Sequence, residues 1–227
     1  MNAIITNHIA SLEPKLWKGY RLIAGDGSTL SLPPSPQIKS HFGVYSVSLG
    51  GISVCHARTC MLYDVLSGYV MDSIIAPASI GEITLINRMA HNVDATDAIL
   101  ILDRGFGYFS TCKNLIYQKF NLCIRITTSH SLFAKTVMQN QSNDFIAEWI
   151  PSDGEKNTCK KYGLDINPIK VRVTKILLHT GVTELLVSTL FDMNAVSIQD
   201  MQELYQLRWT VEEGFKKLKP KMKLRAI

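Results

Sequence analysis

The residues of this chain best suited to chemistry are few and acidic. Asp26 stands between two glycines in Ala24-Gly25-Asp26-Gly27-Ser28-Thr29, Asp103 follows the apolar run Ala98 to Leu102, and Glu212 lies in the run from Tyr205 to Lys219. Three carboxylates from separate elements, brought to one end of a sheet, repel one another in a dry pocket, so their convergence makes sense only with bound cations. Oxygen ligands select magnesium or manganese rather than zinc. Two such ions about 3.5 to 4 Å apart activate a water or a 3′-hydroxyl and stabilise the leaving oxygen of an in-line phosphoryl displacement. That chemistry asks little more of a protein than cationic groups to position the phosphates.

The stretch from Tyr205 to Lys219 supplies such groups. At about 100° per residue of helix, Tyr205, Arg208, Glu212 and Lys219 fall within roughly 60° of one another and form one polar stripe. Leu204, Leu207, Val211, Phe215 and Leu218 project on an adjoining apolar arc, while Glu203, Gln206, Thr210, Glu213 and Lys217 point elsewhere. Arg208 and Glu212 also fit a plain i,i+4 ion pair on a wet helix. Arg208, Lys219 and Tyr205 suit phosphate contacts. Trp209 suits either stacking on an unpaired base or ordinary packing. Ser197 followed by Asp200 predicts the start of the helix as a capping box, with Asp in place of the usual Glu or Gln.

The elements that must position these groups follow from hydrophobic periodicity. Residues 1–19 form a lead-in. Tyr20 to Leu32 reads as a strand running into Gly25-Asp26-Gly27, and an Asp between glycines also reads as a turn residue. Pro33 to Gly51 is loop-like, then Ser53–Tyr63 and Gly68–Ala76 read as two hairpin strands of an antiparallel meander. Gly81–Asn92 has helical spacing, Ala98–Leu102 is a fully buried strand, Tyr108–Phe120 is helical and Leu122–Ile126 is a strand. An Asp at the C-terminal end of a buried strand lies where α/β sheets place ligand-binding groups. Residues 20–126 thus read as the first part of a core and residues 186–227 as its completion, with the acidic helix and a basic tail. Between them, residues 127–185 read as a β-rich insertion with strands Phe145–Ile150, Ile169–Leu178 and Glu184–Leu190 and a polar tract, Pro151–Asn167.

Composition bounds these readings. At 227 residues and 46% hydrophobic, the chain buries a sizeable core. No apolar run is long enough to cross a bilayer, and the N-terminus lacks the order of a secretory signal, so a cytoplasmic protein without a membrane partner is expected. The five cysteines show no Cys-x-x-Cys pair, which predicts core thiols rather than disulfides or a zinc site. The net charge of +5 is concentrated by Lys216, Lys217, Lys219, Lys221, Lys223 and Arg225 just beyond Glu212. Such a run is either a solvated terminus or what a phosphodiester substrate requires. No Walker-type loop occurs, which disfavours nucleotide-dependent functions.

The spacing Tyr-x2-Arg-x3-Glu-x6-Lys, carried by Tyr205, Arg208, Glu212 and Lys219, resembles the signature of the insertion-sequence-four family of DDE transposases. The segments around Asp26 and Asp103, the latter in Ile101-Leu102-Asp103-Arg104-Gly105-Phe106, resemble that family's first and second Asp motifs. The resemblance covers Tyr20 to Lys219. It implies an α/β, ribonuclease-H-like mixed sheet flanked by helices, with an insertion before the Glu. It implies Asp26, Asp103 and Glu212 as catalytic residues and ligands of two Mg²⁺ or Mn²⁺ ions, with Tyr205, Arg208, Lys219 and Trp209 contacting DNA. The activity implied is cleavage and strand transfer in cut-and-paste transposition. The partners implied are double-stranded transposon-end and target DNA, and a second copy of the chain in the synapsed state. Family members carry further regions before the first Asp motif and after the Lys, whereas 25 residues precede Asp26 and eight follow Lys219 here, so a catalytic-core fragment is expected. A metal-dependent nuclease of the same fold and an inactive DNA-binding relic are the competing readings.

Overall fold

The computed structural model describes residues 13–44, 46–47, 51, 53–129, 131–221 and 225–226, with backbone alone at 46–47, 53, 217–221 and 225–226. Much of the expected lead-in and the side chains of most of the basic tail therefore lie outside the described residues. In chain order the elements begin with β1 (Arg21–Leu32), α1 (Pro36–Phe42), β2 (Ser46–Val47), β3 (Ser53–Asp64), β4 (Tyr69–Pro77), α2 (Glu82–Ala90) and β5 (Ala98–Leu102). They continue with α3 (Phe109–Tyr117), β6 (Asn121–Ile126), α4 (Leu132–Met138), β7 (Asp144–Trp149), α5 (Asp153–Lys161), β8 (Ile169–Leu177) and β9 (Thr183–Ser188). The last are α6 (Ile198–Gln206), α7 (Thr210–Lys221) and β10 (Arg225–Ala226). The chain divides into two compact units, one of residues 1–15, 24–93 and 209–227, the other of residues 16–23 and 94–208.

In the first unit, β3 neighbours β2, β4 and β1, and β10 pairs with β1. The β3–β4 hairpin is antiparallel, from Ala57 opposite Pro77 to Asp64 opposite Tyr69. Its turn closes because Asp64 Oδ1 accepts the Ser67 N–H at 2.8 Å and Gly68 takes a φ of 80°, which a residue with a side chain adopts at a cost. Helix α2 buries Leu85, Ile86 and Met89 at helical spacing.

The second unit holds the strand order β5-β6-β9-β8-β7, with the opening residues of β1 beside β5. β5 and β6 are parallel, and β6–β9, β9–β8 and β8–β7 are antiparallel. The class is therefore α/β with a mixed sheet and helices against it, as the sequence leads one to expect. The strands of residues 127–185 extend the same run of strands that β5 and β6 begin. Among the charges buried in this unit, Arg172 is 0% exposed. Its Nε and Nη2 donate to the two carboxylate oxygens of Asp144 at 2.8 and 2.6 Å, and its Nη1 donates to the Leu190 carbonyl at 3.0 Å. A buried guanidinium is tolerable when its charge is paired in this bidentate way and each of its nitrogens has an acceptor.

The structure corrects three sequence expectations. β1 continues through Gly25-Asp26-Gly27, so Asp26 is a strand residue and not a turn residue. Three short helices, α1, α4 and α5, occupy segments read as loop or polar tract. Each is started by a serine, Ser35, Ser131 or Ser152, whose hydroxyl accepts a backbone N–H of the first turn. Finally, Tyr205 to Lys219 is not one helix. α6 ends at Gln206, Leu207–Trp209 form a 3-10 turn, and α7 begins at Thr210. A 3-10 turn has 3.0 residues where an α-helix has 3.6, so each such residue rotates about 20° further and the three together turn α7 by about 60° relative to an unbroken helix.

Candidate active site

Asp103 leaves the end of the wholly buried strand β5 and caps the 3-10 turn Arg104–Phe106, its Oδ1 accepting the Gly105 N–H at 2.8 Å. The carboxyl group is half-buried. Gly107, a few residues on, presses against β6: a Cβ there would stand 2.8 Å from the Arg125 carbonyl oxygen and 2.9 Å from Ile126 Cγ2. The turn that aims Asp103 is thus braced by backbone.

Tyr205 and Arg208 also belong to the second unit and are only 5% and 6% exposed. Burial, the largest influence, pushes the Tyr205 phenol up to about 12, against the opposing pull of Arg208 and then Arg125. Tyr205 therefore stays a protonated donor at any physiological pH. Arg125 Nη1 pairs with Glu184 Oε1 at 2.8 Å. Read from sequence, Arg125 is better taken as a surface residue than as a DNA contact, yet it shares the surroundings of Tyr205 with Arg208. A single Arg in the otherwise apolar strand β6 was the available signal.

Asp26 and Glu212 lie in the first unit, both half-buried. The direction of a Cβ at Gly27 runs into the side chain of Glu82, 2.6 Å from its Cγ and 2.7 Å from its Oε1. Glu82 in turn pairs with Arg58 Nη1 at 2.5 Å. Gly27, Arg58 and α2 therefore share one face of this sheet. Successive strand residues point to opposite faces, so Asp26 projects from the other face. That is the face of Met61, which meets α7: a Cβ on Gly214 would stand 3.1 Å from Met61 Cε and 3.2 Å from the Tyr63 ring. Glu212 lies on α7 two residues before Gly214, about 200° round the helix from it. Glu213 is exposed and paired with Lys216 at 2.6 Å. Trp209 is 61% exposed. Lys219 lies in the backbone of α7, and its side chain is outside the described residues.

Among the described residues, no group of three or more His, Cys, Asp and Glu side chains is arranged to hold a metal ion. The donor chemistry nonetheless fits a hard divalent cation: Asp26, Asp103 and Glu212 offer only carboxylate oxygens, and all three are half-buried, neither sealed in the core nor free in solvent. All described cysteines are free thiols in the core, as the sequence predicts. Among the described residues no helix is long and apolar enough to cross a membrane.

Residues 17–227 match the family model described as a transposase DDE domain. Among solved structures, the chain is similar to the piggyBac transposase in the cryo-EM structure of its synaptic complex with hairpin DNA, with a TM-score of 0.51 and 11% identity. The likeness covers 92% of this chain and 41% of that one, so this chain spans less than half of that protein's length. At that identity the likeness concerns the fold alone. No curated protein matches.

Proposed function

The chain belongs to the transposase DDE-domain family, and on that premise we propose that it cleaves DNA and joins the freed 3′-hydroxyl to target DNA, moving an insertion sequence by cut-and-paste. The observation that carries this reading is the match of residues 17–227 to the transposase DDE-domain model, supported by Asp26 on β1 and Glu212 on α7 in the first unit and Asp103 at the C-terminal end of β5 in the second. Asp26, Asp103 and Glu212 would hold two Mg²⁺ or Mn²⁺ ions, which when bound supply charge neutralisation at the attacking and leaving oxygens. The chain's own residues do the rest. Asp103, fixed through Oδ1 by the Gly105 N–H, holds its carboxylate in one orientation. Arg208 and Arg125 set positive charge around the Tyr205 hydroxyl, a protonated donor suited to a phosphate oxygen. Trp209, exposed, offers a face to an unpaired base.

We further assign the chain to the insertion-sequence-four group on the Tyr205, Arg208, Glu212 and Lys219 identities, with double-stranded DNA and a second copy of the chain as partners. The test is a labelled duplex incubated with the purified chain and Mg²⁺ or Mn²⁺. Nicking followed by joining of the labelled 3′-end into a second duplex is expected. Asp26→Asn, Asp103→Asn and Glu212→Gln each reduce both steps about a thousandfold or more. Asp103→Asn is the sharpest of the three, because the amide keeps an oxygen for the Gly105 N–H and leaves the turn intact. Nicking without joining would favour a nuclease on this fold. Metal-dependent activity surviving in Asp103→Asn would remove Asp103 from the reaction, and its absence from the wild type would sink the enzymatic reading and leave a DNA-binding relic.

A further inference from the structure

The first unit contains a charged pair that the proposed reaction does not use. Glu82 opens α2, where a carboxylate complements the helix dipole, and its side chain passes over Gly27 to pair with Arg58 on β3. Arg58 also donates from Nη2 to the Ala78 carbonyl at 3.4 Å, so the guanidinium ties the start of α2 to the strand. Both partners are partly shielded, with side-chain exposures of 27% and 33%. Their attraction is therefore screened less than that of a surface pair. The residue beneath Glu82 is the immediate neighbour of Asp26, and any side chain at position 27 would overlap Glu82. The sheet thus has a glycine where a carboxylate must lie flat on the strand, with Asp26 projecting from the face behind it.

We propose that the Arg58–Glu82 pair is a positioning device for Asp26: seated on Gly27, Glu82 clamps the strand from the face opposite the Asp26 carboxylate and fixes the backbone from which that carboxylate projects. A second observation places these charges in one small region. The Cys60 thiol, buried on the Arg58 face of β3, is pushed up to about 12 by burial and then by Glu82, with Arg58 opposing and Asp26 adding to the rise. Glu82 is a positioning residue here and not a metal ligand. Loosening it leaves Asp26 in place but imprecisely aimed, and groups that orient a ligand in this way change metal affinity when removed.

The inference rests on the reading of Asp26 as a metal ligand, so the experiment separates the two. Mn²⁺ affinity of the full chain is measured by titration calorimetry without DNA, alongside the melting temperature, for the wild type, Asp26→Asn, Glu82→Ala, Glu82→Gln and Gly27→Ala. Asp26→Asn is expected to lose Mn²⁺ binding. Glu82→Ala is expected to weaken it about tenfold, and Gly27→Ala, which displaces Glu82, to do the same. Glu82→Gln keeps the shape over Gly27 and an oxygen for Arg58, and is expected to stay within about twofold of the wild type. Wild-type affinity in Glu82→Ala together with loss in Asp26→Asn would overturn the positioning role alone. Glu82→Gln as weak as Glu82→Ala would overturn it too, by showing that charge and not placement matters. Unchanged binding in Asp26→Asn would remove the metal-site reading and this inference with it. Should Glu82→Ala fail to fold, Gly27→Ala decides: weakened binding supports the clamp, and wild-type binding overturns it.

Discussion

Asp103 carries two tasks on one carboxylate, since Oδ1 is engaged by the Gly105 N–H and the group still faces outward from the end of β5. Only the second task is legible from its position after an apolar run; the first depends on the local turn. The cysteines are the opposite case, where residue type and spacing were enough to predict buried thiols. Burial pushes Cys60, Cys112 and Cys123 up to about 12. A raised thiol pKa keeps the proton on well past pH 8, and the thiolate is the reactive form. Iodoacetamide at pH 8 is therefore expected to leave Cys60, Cys112 and Cys123 unmodified in the native chain and to modify them in denaturant, as read by peptide mass mapping. Rapid native labelling of Cys60 would show that the region beside Asp26 opens. Arg125 shows the limit at this scale: nothing near it in sequence reports that Glu184 and Tyr205 lie beside it.

Among elements, two glycines of the second unit make contrary predictions. Gly107 abuts the backbone of β6, which cannot yield as a side chain does. Gly107→Ala is expected to destabilise by about 1–3 kcal/mol. Gly154, within α5, has nothing inside 4 Å of its missing Cβ. Gly154→Ala is expected to stabilise by up to about 1 kcal/mol, and urea unfolding of both variants checks the signs. The capping box of α6 was legible, because Ser197 and Asp200 are three apart and act locally. Ser197→Ala should lower the melting temperature by about 2–4 °C. Asp200 is held below the usual carboxylate range by the Ser197 N–H first, then its hydroxyl, then Lys18. A depressed folded pKa means that the stabilisation is present above the unfolded value of about 3.9 and is lost as pH falls through the lower folded value. The melting gap between wild type and Ser197→Ala is accordingly expected to narrow from pH 7 towards pH 3. Helices α1, α4 and α5 were not legible, since a helix of two turns shows too little periodicity to separate from a polar loop.

For the whole molecule, the net charge of +5 makes a polyanion a reasonable partner and predicts how binding responds to salt. If the chain neutralises about six phosphates, affinity for duplex DNA falls roughly a thousandfold between 50 and 200 mM salt. Fluorescence anisotropy across that range checks this, and a flat response would contradict binding through the phosphate backbone. The amino-acid sequence by itself determined the α/β class, the extents of β3, β4, β5 and β8 to within a residue or two, and the burial of the cysteines. These are properties of type, spacing and short-range periodicity, which every neighbouring residue reports. Tertiary structure alone decided that β1 runs straight through Asp26, that the acidic helix breaks at Leu207–Trp209, and that Glu82 lies over Gly27 with Arg58 as its partner. Each depends on contacts between residues far apart in the chain or on the packing of a few side chains. Free energies of that size and reach leave no periodic trace along the sequence.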